Sequence, residues 1–234
     1  QVLALVAMLS TDGAAFLSPA DKRDAANDAK RAFSSAHGDT LTLLHLLAAY
    51  RAQRGGGVKG WCERNFVNRR TLEAALQIRQ QLLVACGRIG LACPPDDDGG
   101  GGGGGVAGGS VGGGSGVQPL DPESSKSVRR CLTAAFFMQA AQRQPSGNYL
   151  ALVSRQEVAI HPSSVLFARR SRCVLYNELL FTSRLYMREL TQIEADWLPE
   201  LAPHFFAAGG GGAAAAAGAA RRLPAAGIMD QPAA

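Results

Sequence analysis

Apolar residues follow a helical period through the first third of the chain and a strand-like period in its later part. The 3.6-residue period predicts a first helix over 2–9 and a second over 18–33. For the second helix Ser18 is the expected cap, Pro19 suits the first turn and Asp21 complements the dipole. In "HGDTLTLLHLLAAYRAQ" a Gly-Asp turn precedes a strongly apolar helix, capped by Asp39 or Thr40 and running through Tyr50. "GGGVKG" breaks that helix. A short helix is expected over 61–66, then a turn at Val67 and Asn68, then a long helix over 70–88. In the long helix Leu72, Ala75, Leu76, Arg79, Leu82 and Leu83 recur at helical spacing, and Asn68 is its simplest cap.

A further helix is expected to start at Ser124 or Ser125 and to carry Val128, Leu132, Ala135, Phe136 and Gln139 at helical spacing. After "PSG" the pattern changes. "NYLALVS", "EVAIHP", "CVLYNELLFT" and "LYMRELTQI" are short runs rich in β-branched and aromatic residues, with turn residues between them. Four or five such strands suggest a small β-barrel. "EADWLPELAPHFF" then predicts a short helix and an aromatic cluster. The expected class is α+β: an all-α bundle over 1–93, a helix plus small β-barrel over 124–206, and two segments that build no core. The first of these, 94–123, has 13 glycines within 99–116 and is expected to be a flexible, disordered linker. The second, 207–234, is an alanine- and glycine-rich tail, also expected to be disordered.

Charge adds a hint of partner. The net charge is +5 and the pI about 9.2, with 12 Lys/Arg against 7 Asp/Glu in 1–93 and 10 against 6 in 125–206. A basic excess of this kind favours a polyanion, and solubility alone is the competing explanation. The five cysteines are odd in number and form no CxxC pair. That points to buried thiols in a reducing compartment, not to a disulfide framework or a zinc site. "QVLALVAMLS" is too short to span a bilayer and lacks a basic flank, so neither a membrane span nor a signal peptide is expected. It opens without methionine, which suggests a start inside a larger protein.

The ordered strings "GDTLTLLHLLAAY", "WCERNFVNRRTLEAALQIRQQL", "SVRRCLTAAFFMQAA", "VAIHPSSVLF" and "VLYNELLFTSRLYMRELTQIEADWLPELAPHFF" closely resemble the C-terminal region of DEAH-box ATP-dependent RNA helicases. The resemblance covers residues 2–206. It implies a helicase-associated helical "ratchet" domain over 1–93, truncated at its start, and a linker helix plus OB-fold over 124–206. Thr40 stands where the family usually has histidine, and His45 where it often has asparagine. The chain has no GxxxxGK[ST] loop and no Asp-Glu-Ala-His run. The resemblance therefore implies ATP and Mg in a parent helicase, with no cofactor and no catalytic residue expected in this chain itself. It further implies single-stranded RNA as partner, RecA-like motor domains in the parent, G-patch-type activators, and a nuclear or nucleolar setting in splicing or ribosome biogenesis. A stand-alone RNA-binding or protein-docking module is the alternative.

OB-folds hold single strands with basic and aromatic side chains on one barrel face and its loops. Arg184 and Arg188 in "TSRLYMREL" are the candidates there, with Glu178 as a competing ion-pair partner. Tyr149, Tyr176 and Tyr186 are available for stacking, although Tyr176 and Tyr186 are expected in the core. Arg155, Arg169, Arg170 and Arg172 are further basic side chains in this part. In "IHPSS", His161, Ser163 and Ser164 either organise a turn or contact the RNA path. No GxSxG elbow accompanies them, so nucleophilic catalysis is not expected. In the bundle the resemblance places Arg70 and Arg79 near the RNA tunnel. Trp61, Cys62 and His45 are expected in the core, and no histidine has metal-ligand spacing.

Overall fold

The computed structural model of the chain describes residues 1–53, 57–93 and 120–206, within two compact units, Gln1–Ser125 and Lys126–Ala234. Most of the expected linker and all of the expected tail lie outside the described residues.

The first unit is helical. α1 (Val2–Leu9) buries Leu5, Ala7 and Met8. The expected helix over 18–33 is interrupted. A single 3-10 turn at Ala20–Lys22 precedes α2 (Arg23–Arg31), and Ser18 does not cap it. The break lies at Lys22, whose φ of −132° and ψ of 29° leave the helical region. α3 (Asp39–Arg51) is capped by Gly38, not by Asp39 or Thr40. Gly38 sits at φ +124°, a backbone angle that a Cβ disfavours. Thr42 Oγ1 then donates to the Gly38 carbonyl at 2.9 Å and accepts the Ser35 N–H at 2.9 Å. His45 is a satisfied core histidine. Its Nδ1–H donates to the Phe33 carbonyl at 3.1 Å and its Nε2 accepts the Leu120 N–H at 3.3 Å.

α4 (Val58–Arg64) and α5 (Arg69–Arg88) complete the unit, with α1 packed on α3 and α5. Asn68 caps α5 as expected, its side-chain oxygen accepting the Arg70 N–H at 3.2 Å. Trp61 and Cys62 are buried. The Trp61 ring meets Phe33 edge-on at 5.9 Å and Tyr50 at 6.1 Å, in a core that also holds Met8, Leu46, Leu47 and Leu72.

α6 (Pro122–Phe136) is capped by Asp121, not by a serine: the Asp121 carboxylate accepts the Ser124 N–H at 2.9 Å. Pro122 follows as the first helical residue, where its missing N–H is no loss. The helical pattern expected to run through Gln139 ends sooner. A 3-10 turn at Phe137–Gln139 leads into β1 (Ala140–Arg143), a strand that residue preferences alone do not announce. Ala140 and Ala141 are fully buried between two neighbouring strands, so sheet pairing overrides alanine's helical preference.

The remaining strands are β2 (Tyr149–Ala151), β3 (Glu157–Ile160), β4 (Cys173–Leu175), β5 (Glu178–Phe181), β6 (Leu185–Arg188) and β7 (Thr191–Ile193). They form one curled sheet in the order β5-β6-β3-β2-β1-β4-β7. All pairs are antiparallel except β3 with β6. Val158, Leu166, Val174, Met187 and Leu190 fill its core. α7 (Trp197–Leu201) closes the fold. Arg129 and Arg130 of α6 lie 5.1 and 5.7 Å from the Trp197 ring centroid, and Arg130 forks onto both carboxylate oxygens of Glu200. The expected aromatic cluster is present, with Phe137 against His204, Phe205 and Phe206. The class is α+β, a helical part followed by a curled half-barrel sheet.

Candidate nucleic-acid interface

Strand alternation builds the outward face of the sheet's β5-β6-β3 end. Along β6, Met187 is fully buried, so its neighbours Tyr186 and Arg188 point the other way. The register sets Leu180 of β5 and Ala159 of β3 opposite Tyr186, and Glu178 opposite Arg188. Tyr186 is thus partly exposed, contrary to its expected core role. Tyr176 is buried as expected. Tyr149 is buried too, its hydroxyl donating to the Ser171 carbonyl at 2.7 Å. Burial pushes both of these phenols up. Only Tyr186 of the three offers a ring at the surface, and the period-two reading of Leu-Tyr-Met-Arg was the signal that could have found it.

His161 follows β3 and stands edge-on against Tyr186, with centroids 5.5 Å apart and planes at 80°. Its backbone N–H donates to the Met187 carbonyl at 3.1 Å, which anchors the turn to β6. Its Nδ1 accepts the Ser163 backbone N–H at 3.1 Å. An amide only donates, so Nδ1 carries no proton in this geometry. The Ser163 hydroxyl therefore donates to the same nitrogen at 2.7 Å, and the ring proton resides on Nε2. Ser164 is buried. Its N–H reaches the His161 carbonyl at 3.0 Å and its Oγ accepts the Leu166 N–H at 3.2 Å. "IHPSS" is thus a turn organised by its own side chains. The close Ser163–His161 contact spans two residues of that turn and serves its shape.

Arg184 is exposed in the β5–β6 turn, where its carbonyl accepts the Thr182 N–H at 3.1 Å. Arg188 pairs with Glu178 at 3.1 Å across the strands, with both side chains near half exposure. Such a pair contributes little to stability and leaves the guanidinium available for exchange. Arg169, Arg170 and Arg172 are exposed ahead of β4, and Arg155 is exposed after β2 at φ +58°. In the first unit Arg70 is exposed in the opening turn of α5, whereas Arg79 is buried at 8% exposure. No group of three or more His, Cys, Asp or Glu among the described residues is placed to hold a metal ion, and no phosphate loop occurs in the sequence. No described helix is long and apolar enough to cross a membrane.

The sequence profile of the oligonucleotide/oligosaccharide-binding (OB)-fold family matches residues 128–205. The chain is 35% identical over 206 residues to the human ATP-dependent RNA helicase DHX33, covering 88% of this chain and 25% of that protein. The mouse ATP-dependent RNA helicase DHX33 is 34% identical, with 88% and 26% covered. An Arabidopsis thaliana protein, the pre-mRNA-splicing factor ATP-dependent RNA helicase DEAH10, is 37% identical over 218 residues, with 88% and 27% covered. The chain thus spans about a quarter of the length of these relatives.

Proposed function

We propose that this chain, a C-terminal region of a DEAH-box RNA helicase, engages single-stranded RNA within an ATP-driven enzyme that remodels RNA or ribonucleoprotein. The observation that carries the reading lies inside the segment matched by the OB-fold family. Arg184 projects from the β5–β6 turn, and Tyr186, His161 and Arg188 line the adjoining outward face. Guanidinium groups bind phosphates along a strand, and an exposed ring offers a base a stacking surface. ATP and Mg belong in this reading to RecA-like motor domains of the parent enzyme. Splicing or ribosome biogenesis, G-patch-type activators and a nuclear or nucleolar location complete it.

The test is fluorescence anisotropy of a labelled single-stranded oligouridine with the full chain, repeated across salt. Alanine at both Arg184 and Arg188 is expected to weaken binding and to reduce the logarithmic salt slope by about 1.4, at roughly 0.7 per lost phosphate contact. An unchanged slope would refute the assignment. One observation favours a second reading, protein docking. On edge strand β5, Phe181 is 75% exposed and Leu179 37% exposed. Binding to a protein through these residues would be nearly independent of salt.

A further inference from the structure

Strand directions gather basic side chains at one end of the sheet. β1, β3 and β6 finish at this end, and β2, β4 and β5 begin there. The loop from His161 to Arg172 crosses the same end, from the close of β3 to the start of β4. Arg188 closes β6 at this end, whereas Arg184, in the β5–β6 turn, lies at the opposite one. Two bonds hold the end of the loop against the sheet. The Arg143 N–H donates to the Arg172 carbonyl at 2.9 Å, and the Tyr149 hydroxyl donates to the carbonyl of buried Ser171 at 2.7 Å. The β1–β4 ladder pairs Gln142 with Cys173, so the next pair sets Arg143 opposite Arg172 on one side of the sheet. The Arg143 guanidinium rests on the β1–β2 turn, with Nη2 3.7 Å from the place a Cβ on Gly147 would take. Arg169 and Arg170 are exposed in the same loop, where the Arg169 N–H donates to the Leu166 carbonyl at 2.9 Å, and the ring of Phe167 is 56% exposed.

We propose that Arg143, Arg169, Arg170 and Arg172, with Phe167, form a second RNA contact, a basic rim that holds backbone phosphates of the strand beyond the Tyr186 face. The inference rests on the RNA reading and adds to it residues that the reading does not use. Like charges directly opposite on neighbouring strands destabilise a sheet, and an anion between Arg143 and Arg172 would offset that cost. No carboxylate does so. By register Glu194 follows β7 beside Arg172, yet none of the four arginines has an ion-pair partner among the described residues. The free guanidinium groups are therefore ready for phosphates, without the exchange that Arg188 must make with Glu178. Phe167 among them supplies a stacking ring, the combination that single strands use. The rim is also continuous with the first contact. β1 lies three strands from β6, roughly 14 Å at about 4.8 Å per strand. A strand filling an OB-fold is about 4–16 nucleotides long, and the longer ones reach from Arg188 to Arg143.

The test measures binding of the full chain to a labelled oligouridine of about 16 nucleotides across a salt series. The variant replaces Arg169, Arg170 and Arg172 with alanine; all three are exposed, and thermal melts check the fold. The logarithmic salt slope should fall by about 2.1, at roughly 0.7 per phosphate contact. Between 50 and 200 mM salt the affinity gap from the parent should then narrow roughly 18-fold. Lysine at the same three positions should restore the slope, because the charge returns. Phe167→Ala should weaken binding roughly fivefold or more with the slope unchanged, as loss of stacking requires. With Arg184→Ala and Arg188→Ala added to the triple variant, the slope should fall by about 3.5 in all. An unchanged slope in the triple variant, while Arg184→Ala with Arg188→Ala lowers it, would overturn the rim and leave the first contact standing. An unchanged slope in both would overturn the RNA reading itself. A labelled oligoglutamate that binds as tightly as the oligouridine, and is lost in the triple variant, would overturn RNA as the occupant in favour of an acidic protein segment.

Discussion

Replacing Glu178 with glutamine is expected to tighten RNA binding, although it removes a polar contact. The two strands set Glu178 opposite Arg188, and the ions meet at 3.1 Å with side chains 49% and 40% exposed. An ion pair of that exposure contributes about 0.2–1 kcal/mol. If Arg188 must leave Glu178 to reach a phosphate, the substitution removes that competing interaction, a gain of about 1.4- to 5-fold. The carboxylate also repels a phosphate held nearby. At roughly 7 Å in water this adds about 0.6 kcal/mol, which salt then screens. Together the effects predict Kd about 4- to 15-fold lower at low salt, and converging on the parent value at high salt. Arg188→Ala should weaken binding and reduce the salt slope by about 0.7. In the Arg188→Ala background, Glu178→Gln should retain only the smaller repulsion effect. Oligouridine anisotropy across a salt series reads all four proteins. Thermal melts check that the fold is intact, since exposed substitutions of this kind usually stay within about 0.5 kcal/mol. Equal affinity for the parent and Glu178→Gln at low salt would refute a phosphate contact by Arg188.

Met187→Ala should cost about 2–5 kcal/mol, because the side chain is fully buried between Leu179 and Ile160 of the flanking strands. Urea unfolding followed by Trp197 fluorescence in a Trp61→Phe background reads it, and a loss under about 1 kcal/mol would refute that packing. Asn68→Ala should destabilise the helical unit by about 1 kcal/mol and Asn68→Gly by only a few tenths, since its contribution is the cap on Arg70. Equal losses in the two variants, again by denaturant melts, would point to another cause. Burial pushes the Cys173 thiol up to about 12, so the folded state holds its proton more tightly than the unfolded chain does. The associated stability is complete below about pH 9 and falls by roughly 1.4 kcal/mol per pH unit from there towards 12. Alkaline denaturant melts of Cys173→Ala should lack that component, and an identical pH profile in the variant would refute it.

Local signals in the sequence gave the helices reliably where one side chain or one apolar stripe decides them. Asn68 caps α5 because a short polar side chain before an apolar-periodic run has few better uses. His45 on an apolar helix is satisfied by two backbone groups, the ordinary fate of such a residue. The caps of α3 and α6 were harder to read because neighbouring residues could serve equally. Asp39, Thr40 and Gly38 compete at one, and Asp121, Ser124 and Ser125 at the other. Backbone angles settle these contests, and they depend on what precedes the helix. β1 was illegible for a different reason. Its alanines prefer helix, and only the partners Ala151 and Val174, distant in sequence, make a strand of them. Tyr186 was misjudged because an aromatic in an apolar run fits either face of a sheet. Its place depends on register, which the burial of Met187 fixes.

The two arginines of α5 show how far helical geometry constrains the RNA reading. Arg70 and Arg79 are nine residues apart, and at 3.6 residues per turn that is two and a half turns. The two side chains therefore leave opposite sides of the helix. Arg79 falls four residues beyond Ala75, seven beyond Leu72 and eight beyond Thr71, the spacings of a single stripe, and all four are buried. Arg70 lies away from that stripe and is exposed. An RNA strand following the surface of α5 can meet Arg70 without meeting Arg79. Contact with Arg79 would require opening a packed face, whose closed form excludes the strand. Of the two candidates, Arg70 is exposed and Arg79 is buried, so Arg70→Ala is expected to lower the salt dependence of RNA binding more than Arg79→Ala does.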